Sequence, residues 1–94
     1  MLIIAGNLYV HPEERDAWVE AHHEIVKRAR SRPGCLDLYF SADPVEDGRV
    51  NMFEQWESEE HLEAWRAVAA PPPKPEILRA NVQKHRISSS GPPF

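Results

Sequence analysis

Apolar and polar residues along the chain follow two periods. Leu2 to Val10 is short, rich in β-branched and aromatic residues, and closed by His11-Pro12, which predicts a first strand. Its two faces are both largely apolar: Ile3, Ala5 and Tyr9 on one, Leu2, Ile4, Leu8 and Val10 on the other. From Pro12 the period becomes helical. Pro12 suits a first turn, and Glu13 and Glu14 suit the positive end of the helix dipole. Arg28, Arg30 and Arg32 favour the negative end, and Pro33-Gly34 stops the helix near Ser31. Trp18, Val19, Ala21, His22, Ile25, Val26 and Ala29 form one apolar arc with His22 near its centre. Glu20, Glu24 and Lys27 lie on the far side, and His23 on the edge.

Cys35 to Ala42 alternates again, with Leu36, Leu38 and Phe40 against Asp37, Tyr39 and Ser41. Asp43 to Gly48 is a turn-rich loop with Asp47-Gly48 as its strongest signal. Arg49 to Glu57 sets Val50, Met52, Glu54 and Trp56 against Asn51, Phe53, Gln55 and Glu57, completing an antiparallel hairpin. Ser58 is a good N-cap for a short helix reaching about Ala69, with Leu62, Trp65 and Ala69 as its stripe and Arg66 on the flank. Pro71 to Pro75 ends that helix and predicts an extended segment. Ala80 to Ile87 reads as the last strand, with the weakest alternation of the four. Residues 1–87 form one domain, and 88–94 read as a flexible tail.

The order β-α-β-β-α-β predicts an α+β, ferredoxin-like fold: an antiparallel sheet with two helices on one face. The other face needs a cover, because the first strand is apolar there too. Sheet-against-sheet homodimerisation is the simplest solution.

Composition narrows the function classes. A net charge of −4 over 94 residues argues against binding to a nucleic-acid backbone. One cysteine excludes an internal disulfide framework or a Cys-rich zinc site. No apolar run approaches the roughly 18 residues a membrane helix needs. The start lacks the basic region of a signal peptide. A cytoplasmic protein without nucleic-acid or membrane partners is expected. Five histidines invite a metal reading. His22 and His23 point too far apart on a helix to share an ion, and Glu20-x-x-His23 lacks the second copy a di-iron bundle needs. No metal site is expected.

Arg32-Pro33-Gly34-Cys35-Leu36, followed by Glu54-x-Trp56-x-Ser58-x-Glu60-x-Leu62, has a further meaning. With the element order, the size and Asn7 on the first strand, it resembles the antibiotic biosynthesis monooxygenase (ABM) family over residues 2–87. The resemblance implies a dimeric α/β barrel with a pocket between sheet and helices in each subunit. It implies oxidation of quinol, anthrone or related small aromatic substrates by O2, without metal or flavin. Members often carry a histidine one turn after the Leu of the second helix, where this chain has Trp65. Haem-degrading relatives have a Trp there and an Asn on the first strand, which Asn7 and Trp65 match. Their proximal histidine falls at Lys74 here, and His85 is the nearest later histidine. No cofactor is therefore expected, with haem as the alternative.

Triplet O2 reacts poorly with closed-shell molecules, so a cofactor-free oxygenase needs a substrate that can be deprotonated to an electron-rich anion. That requires an apolar pocket, a base titrating near neutrality and donors for the anion. His22 is the expected base. Asn7 and the Trp65 indole N–H are the expected donors. Tyr9, Trp18 and Phe53 are expected as aromatic substrate contacts, and Arg66 as an anion contact. Plainer readings also fit the residues: His22 as a satisfied core histidine, Asn7 with a structural partner, and Trp65 as core. Glu54 and Trp56 read as structural, and Cys35 as inert. A non-catalytic, ligand-binding dimer of the same fold is the alternative function.

Overall fold

The computed structural model describes residues 1–73 and 76–94. Lys74 and Pro75, with the part of the expected extended segment that falls on them, lie outside the described residues. The chain forms β1 (Leu2–Val10), a 3-10 turn (Pro12–Glu14), α1 (Arg15–Ala21), α2 (His23–Arg30), β2 (Cys35–Ala42), β3 (Arg49–Trp56), α3 (Glu59–Val68) and β4 (Ile77–Arg86). Residues 88–94 form no helix or strand. Among the described residues no helix is long and apolar enough to cross a membrane.

The four strands form one antiparallel sheet in the order β2-β3-β1-β4, the ferredoxin-like arrangement. The molecule measures 38 × 34 × 18 Å. Its short dimension matches one sheet plus one helix layer, so the second face of the sheet is bare.

Strand parity decides what faces the helices. Leu2, Ile4, Leu8 and Val10 are buried on the inner face, with Leu38, Val50 and Trp56 from the neighbouring strands. One cluster joins Leu2, Ile4, Leu38 and Trp56 to Ala29 of α2 and Leu62 and Trp65 of α3. A second joins Leu8, Val10 and Val50 to Trp18 of α1. Phe40 and Met52 touch both clusters and tie them together. Truncating one of these buried tryptophans to alanine costs about 3–5 kcal/mol.

Three expectations change. The long first helix is not continuous: it divides at His22, where φ is −94° and ψ 0°. Leu36 does not share the inner face of β2. Cys35 pairs with Trp56 and Asp37 with Gln55, so Leu36 is the extra residue of a bulge and is 47% exposed. β4 begins at Ile77 rather than Ala80. Backbone pairing with β1 holds it along its whole length, while most of its side chains on this sheet edge are exposed, which flattens its alternation.

The connections are chemically specified. Gly34, at φ 80°, turns the chain from α2 into β2, and a Cβ there would enter the ring of His61. Ser58 accepts the backbone N–H of His61 and caps α3. Arg15 of α1 donates from Nη1 to the carbonyls of Asp43, Glu46 and Arg49 at 3.3, 3.0 and 3.3 Å, pinning the β2–β3 loop to the helix layer.

Candidate functional site

His22 is buried, with 3% of its surface exposed. Its Nδ1 lies 2.7 Å from the carbonyl oxygen of Trp18. A carbonyl only accepts, so this contact makes Nδ1 the protonated nitrogen, and in the neutral ring Nε2 then carries the lone pair. The imidazole stacks on the indole of Trp18, with centroids 3.7 Å apart and planes 18° apart. Phe40 of β2 meets both rings edge-on, at 5.1 Å from His22 and 5.3 Å from Trp18. The indole Nε1 of Trp18 is buried and, among the described residues, meets no hydrogen-bond partner.

A second locus lies toward the other end of the same inner face. Trp65 of α3 is buried and stacks on Trp56 of β3, with centroids 6.4 Å apart. The Arg28 guanidinium stands 5.9 Å over the Trp65 ring and donates to the carbonyl of Ala70. Glu54, two residues before Trp56 on the same face, accepts the Trp56 indole N–H at 3.1 Å. Burial pushes its carboxyl above the usual carboxylate range, against opposing pulls from that hydrogen bond and from Arg66. Arg66 is exposed. Among the described residues these side chains fill the space between the layers and leave no pocket.

The sheet divides the seven residues expected to line one pocket. His22, Trp18, Trp65 and Arg66 belong to the helix layer. Asn7, Tyr9 and Phe53 stand on the bare outer face. Asn7 pairs in register with Asn51 on one side and Asn81 on the other, and all three share that face. Tyr9 donates its hydroxyl to the Glu46 carboxylate, and the Arg79 guanidinium lies 4.3 Å from its ring centroid. Phe53 stacks on Tyr39, with centroids 5.4 Å apart. Asn7 therefore cannot donate to a molecule that touches His22 or Trp65. The parity of β1 is the reason: Asn7 has the odd position of Ile3, Ala5 and Tyr9.

The same division bears on haem. Asn7 and Trp65 are on opposite sides of the sheet, and His85 is exposed on the outer face opposite Ile3. These residues do not fit a haem held in one pocket. The Lys74 position lies outside the described residues.

Reasoning from sequence missed Arg15 and read Glu54 only as structural. Arg15, an ordinary helix-start cation in sequence, is the clamp on the hairpin loop. Glu54 was legible as an acid at an inner-face position between Met52 and Trp56.

A two-layer, ferredoxin-like α+β domain with aromatic and titratable side chains between sheet and helices defines the class. The family model for antibiotic biosynthesis monooxygenases matches residues 1–70, and the chain belongs to that family. Solved structures agree in fold. A candidate antibiotic biosynthesis monooxygenase from Nitrosomonas europaea superposes with a TM-score of 0.74 at 13% identity, covering 95% of this chain and 100% of its own. One from Deinococcus radiodurans gives 0.72 at 15% identity, covering 100% and 99%. An uncharacterized protein from Synechocystis is 29% identical over 62 residues, which are 66% of this chain. That match spans 42% of the Synechocystis protein's length.

Proposed function

We propose that this chain is a cofactor-independent monooxygenase that uses O2 on a small aromatic substrate of the quinol or anthrone type. The observation that carries the reading is the His22 geometry. A buried imidazole is held in one tautomer by the Trp18 carbonyl and boxed by the Trp18 and Phe40 rings. His22 is the base. It takes a proton from an activated carbon of the substrate and leaves an electron-rich anion. The anion gives one electron to O2, the two radicals combine to a peroxide anion, and the His22 imidazolium returns its proton to make the hydroperoxide. Loss of water leaves a carbonyl, so a CH2 group and O2 become C=O and H2O. The Trp18 carbonyl and indole face stabilise the imidazolium that forms. Because the closed layers leave no pocket, substrate reaches His22 when the helix layer parts from the sheet, and the opened space then exposes Trp65 as an aromatic wall and Arg66 as a cation for the substrate anion.

The acting unit is a homodimer paired through the outer sheet faces. Ile3, Ala5, Tyr39 and Phe53 provide the apolar centre, and the Asn7, Asn51 and Asn81 row crosses beside it. In this arrangement Asn7, Tyr9 and Phe53 belong to the interface and not to the reacting site.

Oxygen uptake by the metal-stripped protein with a panel of anthrones and hydroquinones tests the reading. Uptake above the no-enzyme rate, lost in His22→Ala, supports it. Background uptake with every substrate overturns it in favour of a ligand-binding dimer.

A further inference from the structure

The register of the sheet fixes which side chains share its bare outer face, and in what rows. Across β2, β3, β1 and β4 the first row is Asp37, Gln55, Ile3 and His85. The second is Tyr39, Phe53, Ala5 and Gln83. The third is Ser41, Asn51, Asn7 and Asn81. The fourth is Asp43, Arg49, Tyr9 and Arg79, with Asp43 just past the end of β2 and its backbone N–H on the Arg49 carbonyl. None of these side chains is buried.

Charge on this face is sorted by strand. The outer column of β2 has an acid at each end, Asp37 and Asp43. That of β4 has a base at each end, His85 and Arg79. The two central strands differ in bulk, with Phe53 of β3 beside Ala5 of β1. Two copies that stack these faces with their strands aligned can be related by a two-fold axis along the strands or across them. An axis along the strands keeps the rows and exchanges the columns. Asp37 then meets the partner's His85, and Asp43 the partner's Arg79. Phe53 lies over the partner's Ala5, and Asn51 over the partner's Asn7. Opposite charges meet, bulk meets a small side chain, and amide meets amide. An axis across the strands exchanges the rows instead. Asp37 then meets the partner's Asp43, and His85 the partner's Arg79. Asn51 lies over the partner's Phe53, and Asn7 over the partner's Ala5. Like charges meet, and buried amides lose their partners.

We propose that two copies of this chain pair about an axis running along the strands between β1 and β3, with the acidic column of β2 seated on the basic column of the partner's β4. The inference rests on the reading of the acting unit as a homodimer joined through these faces, and adds its orientation and the pairs that fix it. The asparagine row sets the register. Sliding one copy by two residues would put Asn7 and Asn51 against Phe53 and Ala5, or against Arg49 and Tyr9.

The test is cross-linking of the whole protein in a Cys35→Ser background, with a bis-maleimide spanning about 8 Å, short of the roughly 10 Å between stacked backbones that side chains bridge. Asp37→Cys with His85→Cys reports the proposed axis. Within one chain these sites are three strand spacings apart, about 14 Å, so the reagent joins them only between copies. Arg79→Cys with His85→Cys reports the other axis, since these lie about 20 Å apart on one strand. We expect a covalent dimer from the first pair and none from the second. Charge reversal gives a second measurement. Asp37→Lys and His85→Glu should each weaken the dimer about tenfold, and together restore it to within about threefold of the wild type. Asp37 also accepts the Leu38 N–H and lies 3.8 Å from Arg30, and a change confined to those contacts would not be rescued from β4. A sedimenting dimer that links through the second pair or through neither, or a double variant as weak as the singles, overturns this inference alone. A wild type that sediments as a monomer before any reagent is added overturns the dimer reading and this orientation with it.

Discussion

The imidazole of His22 occupies the carbonyl of Trp18 that its own backbone N–H would reach in a regular helix. The Nδ1 contact is 2.7 Å, and the His22 backbone N–H bonds instead to the Val19 carbonyl, three residues back, at 3.1 Å. The helix therefore tightens and divides at this residue, and the side chain is locked against the Trp18 ring. Nitrogen-15 NMR should show His22 with its proton on Nδ1 and slow exchange of that proton. A ring protonated on Nε2 alone would remove the basis for its assignment as the base. His22→Ala should also cost about 1–3 kcal/mol in urea unfolding, because the Trp18 carbonyl loses its donor.

Asp43 gives the protein an acid-sensitive loop. The Asn51 side-chain amide and the backbone N–H groups of Glu46 and Val45 hold its carboxyl down to about 2, from an ordinary value of 3.8. A folded value below the unfolded one stabilises the fold above about pH 4, and that contribution fades as the pH falls toward 2. Asp43→Asn should be less stable than the wild type at pH 6. The two proteins should converge near pH 2. Denaturation midpoints across that range check this, and a constant difference would contradict it.

Gly6 crosses the centre of the sheet at φ 155°, where a Cβ would strike the backbone of Asn81. Gly6→Ala should destabilise by about 1–3 kcal/mol and loosen the β1–β4 pairing. Faster amide exchange in β4 than in β3 would be the local sign. An unchanged melting temperature would show that the strands can part at no cost.

The outer face makes the oligomeric prediction. Phe53→Arg places a charge beside Tyr39 at the centre of the proposed interface, where an uncompensated buried charge costs several kcal/mol. Sedimentation should give a dimer for the wild type and a monomer for the variant, with unchanged helix content. A monomeric wild type at high concentration would end the dimer proposal.

Element identity and order were written in the sequence. The strand alternations, Ser58 as N-cap, Pro33-Gly34 as stop and the Asp43–Gly48 loop all act locally, through backbone sterics and near-neighbour hydrogen bonds. The burial of His22 followed from the helical arc. Even the outer placement of Asn7 was present in its parity with Ile3 and Ala5, although the family match pointed to a shared pocket. Tertiary structure alone decided the rest. The helix divides at His22 because a side chain competes for a backbone carbonyl. Leu36 leaves the core because register with Trp56 and Gln55 creates a bulge. Arg15 finds three carbonyls of a loop far away in sequence. Glu54 becomes a raised, oriented carboxyl because the helix layer closes over β3. Each of these depends on groups brought together from distant parts of the chain, where periodicity carries no information.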